Sequence, residues 1–120
     1  MIIYNKQLIP FGKKITKEFI AEQTQSIPSY YKEWAASKDE NEIKKMVTEV
    51  VEFAVKNNIK ETQSFSDLIN FQIKFNVMDD FENDERYKKV IENKSLNESK
   101  RIAQVRDLIV EKLKKSKLWQ

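Results

Sequence analysis

Asp39-Glu40-Asn41-Glu42-Ile43-Lys44-Lys45-Met46-Val47-Thr48-Glu49-Val50-Val51-Glu52-Phe53-Ala54-Val55-Lys56-Asn57-Asn58 reads as one complete helix with both of its ends written in. Asp39 followed three residues later by Glu42 has capping-box spacing, in which each side chain satisfies a backbone N–H that a first turn leaves orphaned. Ile43, Met46, Val47, Val50, Val51 and Ala54 recur at helical spacing and form one apolar stripe that must face a core. Asn57-Asn58 supplies the stop, because asparagine tolerates the left-handed conformation that closes a helix. A single glycine, Gly12, and two prolines leave few places for turns, so the same alternation of cap and helix is expected throughout. The expected fold class is all-α, a single-domain bundle of about five helices over residues 1–120, with an extended arm over residues 1–14.

Upstream of this helix, Met1 to Gly12 is rich in β-branched and aromatic residues bounded by Pro10 and Gly12, which fits extended chain or one short strand; an arm docked on helices suits it better than a strand without an edge. Ile15 to Ser37 places Ile15, Phe19, Ile20, Ile27, Tyr30, Tyr31 and Trp34 near helical spacing, with Pro28 inside. Proline costs ~3 kcal/mol in a helix interior but is welcome in a first turn. Two helices, or one kinked helix, are therefore expected with a break near Ser26-Ile27-Pro28.

Downstream, Thr62 or Ser64 is the expected cap of a helix carrying Phe65, Leu68, Ile69, Gln72, Ile73 and Phe75, apolar enough to be the most buried of the set. An acidic loop follows, Asp79 to Glu85, and Asn83 or Asp84 caps a short helix through Tyr87, Val90 and Ile91 that stops near Asn93. Asn97 then opens the last helix, with Ile102, Val105, Ile109 and Leu113 on one face.

Composition excludes much. The chain has no histidine and no cysteine, which removes the residues from which most nucleophile–base pairs and transition-metal sites are built. Hydrophobic residues make up 40% and charged residues 34%, a balance that fits one folded domain with a very polar surface. No apolar run approaches the ~20 residues of a membrane span, and no leader is read at the start, so a cytoplasmic protein is expected. The formal charge of +3 is too small and too dispersed to indicate nucleic acid. Only Glu111 to Gln120 concentrates lysine, which reads as a solvated helix end complementing the helix dipole; an acidic partner or an anionic surface is the other reading.

The acidic loop invites a calcium site but lacks its pattern. Counting from Asp80, Glu82 and Asp84 fall at the third and fifth positions, yet Glu85 stands where the loop must turn on glycine and Ile91 where a glutamate must close it. No metal and no cofactor are expected. Carboxylates are many, but nothing singles out a catalytic pair, and no Ser-x-x-Lys lies on a buried face. The expectation is a protein without enzymatic activity.

The aromatic residues are numerous, and helical spacing assigns most to the core. Phe71 stands apart from Leu68, Ile69 and Ile73 on the helical wheel, which makes it an expected partner contact, whereas Phe75 is expected in the core. Tyr30, Tyr31 and the terminal Trp119 complete the set of candidate partner-binding residues.

From Ile43 to Leu113 the order of features resembles a family of small all-helical proteins of unassigned biochemistry encoded beside type VI secretion effectors and spike proteins. The corresponding residues are Asn57-Asn58-Ile59, then Phe65 to Phe75, Asp80-Phe81 with Asp84, Tyr87 with Val90-Ile91, and Lys100 to Leu113. Family glycine positions appear here as Asn58 and Asn76, a proline after the loop aspartate is Glu85, and an aromatic is tyrosine rather than tryptophan. The resemblance implies an accessory protein that binds another protein: a chaperone or adaptor for a secreted effector, or else the immunity protein that neutralises a toxin.

Overall fold

The computed structural model describes residues 12–118, with side chains described from 17 to 115. The arm expected over residues 1–14, and the question whether it is a strand, fall mostly outside that range; residues 12 to 14 belong to the first helix. The described residues form helices joined by short connections, with no strand among them. The order is α1 (Gly12–Tyr30), α2 (Lys32–Ala35), α3 (Glu40–Lys56), α4 (Thr62–Phe75), α5 (Met78–Asn83), α6 (Glu85–Ile91) and α7 (Glu98–Leu118). These seven helices exceed the expected five because α2 and α5 are short additional elements. None of them is long and apolar enough to cross a membrane. The chain divides into two compact units, the first ending at Ile69 and the second beginning at Asn70.

In the first unit, α1 packs on α3 and α2 lies against α1. The capping box that opens α3 is formed: the Glu42 amide donates to Asp39 Oδ1 at 2.8 Å and the Asp39 amide to Glu42 Oε1 at 3.3 Å. Val47, Val50, Val51 and Ala54 are fully buried, so the stripe faces the core as its spacing requires. At the other end Asn58 takes φ 65°, the Ile59 amide donates to the Ala54 carbonyl at 2.9 Å and the Asn58 amide to the Val55 carbonyl at 3.0 Å. That pair of bonds is a complete Schellman closure, and Ile59 is 1% exposed. Phe19 of α1 meets Phe65 of α4 edge-on, with ring centroids 5.5 Å apart.

The break expected near Pro28 is absent there. Pro28 lies in the last turn of α1, which continues through it to Tyr30 with Ile27 buried. The helix ends three residues later, where Tyr31 takes φ −130° and ψ 58°. α4 begins before the expected caps: the Phe65 amide donates to the Glu61 carbonyl at 3.1 Å, which puts Glu61 at the cap and Thr62 and Ser64 inside the first turn.

In the second unit α5 packs on α6 and α6 on α7. The last turn of α4 closes through Asn76 at φ 52°, whose amide donates to the Gln72 carbonyl at 2.9 Å. The Gln72 side chain braces this turn, donating to Asn76 Oδ1 at 3.0 Å and accepting from the Met78 amide at 2.9 Å. The stretch expected as an acidic loop is helical. Asp79 and Asp80 occupy the first turn of α5, where carboxylates complement the positive end of the helix dipole, and Phe81 is 1% exposed. Asp84 both ends α5 and caps α6, accepting from the Arg86 amide at 2.9 Å. Asn97 opens α7 as expected, accepting from the Lys100 amide at 2.9 Å.

Candidate functional site

Tyr30 is the last residue of α1 and its ring stands in solvent, 80% exposed. Tyr31 beside it is half-buried and forms the joint between two helices. Its amide donates to the Ile27 carbonyl at 2.8 Å and its carbonyl accepts from the Ala35 amide at 2.9 Å. One turn on, Trp34 is half-buried with the Lys38 ammonium 4.8 Å from its ring centroid, a cation–π contact worth ~0.5–1 kcal/mol at an exposed site. Tyr30, Tyr31 and Trp34 thus follow one another along the chain at one helix joint, an aromatic corner by position, in which Tyr30 is the open member.

The other expected contacts belong to the second unit or lie outside the described residues. Phe71 is buried, 4% exposed, while Phe75 is 38% exposed, the reverse of the expected arrangement. The Arg106 guanidinium lies 6.0 Å from the Phe71 ring centroid. Phe71 is therefore a core residue in this structure, and its assignment as a partner contact is corrected. Trp119 lies outside the described residues.

A second cluster, of charged groups, sits on α5, α6 and α7. Lys112 Nζ is 2.6 Å from Asp80 Oδ2 and Arg86 Nη2 is 3.3 Å from Asp84 Oδ2. Hydrogen bonds from the Arg86 side chain and amide hold the Asp84 carboxyl below the ordinary carboxylate range. The bond to Asp80 holds the Lys112 ammonium above its ordinary value. Beneath them Tyr87 is 1% exposed, its ring 5.5 Å from that of Phe81, and its buried hydroxyl has no hydrogen-bond partner among the described residues. Burial first, and then the Asp80 charge, push this phenol up, so it stays neutral at physiological pH. Exposed pairs of this kind are screened by solvent and contribute little to stability. The Lys112–Asp80 pair joins α7 to α5, whereas the Asp84–Arg86 pair is local to the cap of α6. Among the described residues no three acidic side chains are placed to hold a metal ion.

Sequence reading missed Arg101. It is 5% exposed and its Nη1 donates to the Ile91 carbonyl at 2.7 Å, closing the C-terminal end of α6. A signal was present. Of the 22 basic residues only Arg86, Arg101 and Arg106 are arginines, and each makes a directed contact, with a carboxylate, a helix carbonyl and a ring face. In a lysine-rich chain the planar guanidinium marks places where geometry matters.

No protein-family model, no curated protein and no solved structure matches this chain.

Proposed function

We propose that this chain is a non-enzymatic protein-binding module, and that the aromatic corner at Tyr30 and Tyr31 is its contact surface. The observation that carries the reading is the open ring of Tyr30, 80% exposed, next to Tyr31 and Trp34. Singly exposed apolar groups are ordinary on protein surfaces. Clustered tyrosine and tryptophan on a helix joint have the composition of interface centres, where large rings bury much area for little lost side-chain freedom. The resemblance read from Ile43 to Leu113 narrows the partner to a type VI secretion effector or spike protein, with this chain as its adaptor or chaperone.

The adaptor role is preferred over immunity because the latter drew on an open acidic loop. Here Asp80 and Asp84 are matched by Lys112 and Arg86, leaving Asp79, Glu82 and Glu85 as the exposed acids of that stretch. A photo-crosslinking residue placed at position 30 is expected to trap a discrete adduct in the host cell, and the same residue at the exposed position 49 of α3 is not. Tyr30→Ala should abolish co-purification of the adduct partner while leaving the thermal transition unchanged. Equal labelling from both positions overturns the surface assignment, and rescue of cells expressing a toxic partner would assign the immunity role instead.

A further inference from the structure

We draw no further inference here: the strongest candidate, the exposed face of α7 that carries Val110 and Leu113, is an apolar patch for which nothing in the structure shows what covers it.

Discussion

Phe71 and Phe75 lie one turn apart on α4 and exchange their expected roles. Substituting Phe71 by alanine should cost ~3–5 kcal/mol, as loss of a buried ring does, whereas Phe75→Ala should cost about 1 kcal/mol or less. Urea unfolding of the two variants checks this, and equal losses would show that the ring exposures do not describe the protein in solution. Tyr87 poses the opposite case, a buried residue whose polar atom has no partner among the described residues. An unsatisfied buried hydroxyl costs ~1–3 kcal/mol, so Tyr87→Phe should leave stability unchanged or raise it by about 1 kcal/mol, because the ring contact with Phe81 survives. A comparable loss in denaturant midpoint would instead place a bridging water on the hydroxyl.

Element boundaries follow from local chemistry, and here the sequence was most readable. The Asp39–Glu42 box and the Asn57-Asn58 stop require nothing beyond neighbours three or four residues away, and both are formed. At Asn58, φ 65° suits glycine best and a β-branched side chain worst. Asn58→Gly should hold or slightly raise the melting temperature, and Asn58→Val should cost roughly 1–2 kcal/mol, read by thermal circular dichroism. Indifference to both would mean that the Schellman closure is not formed in solution. What the sequence did not disclose depends on distance along an axis. By angle Phe75 falls between Phe71 and Leu68, on the buried side of α4, yet it is open because the helix ends there and turns at Asn76. Leu113, 41% exposed although on the face of Ile109, shows the same limit within a helix that runs on to Leu118. A wheel gives the direction of a side chain and says nothing of how far the neighbouring helix extends. Tyr30 and Tyr31 are candidate contacts in the sequence already, and the joint at Tyr31 adds why the Tyr30 ring is the open one of the two. The acidic stretch was misjudged because its carboxylates read as loop, while the dipole of α5 and the burial of Val77 and Phe81 favour a helix.

At the scale of the whole molecule, the absence of histidine and cysteine leaves no side chain whose ordinary titration falls between the carboxylates near pH 4 and tyrosine and lysine near pH 10. Folded and unfolded chains then bind equal numbers of side-chain protons across that interval, so stability should be flat from about pH 6 to 9. The flanks have definite signs. On the acid side Asp84 is held below its ordinary value of 3.8, so the unfolded chain takes up its proton first, and the stabilisation is lost as pH falls through the lowered folded value. On the alkaline side Tyr87 and Lys112 are held above 10.0 and 10.5. The unfolded chain releases those protons first, and stability falls as pH rises past these values. The buried phenol governs this flank, since the Lys112 side chain is 56% exposed and screened by solvent. All three groups belong to the unit that begins at Asn70, so its helices bear the pH sensitivity. Urea unfolding at intervals from pH 3 to 11 should show a plateau with two descending edges, and Tyr87→Phe should make only the alkaline edge shallower. A slope across the plateau, or an alkaline edge unmoved in Tyr87→Phe, would remove the buried phenol from control of the molecule's stability.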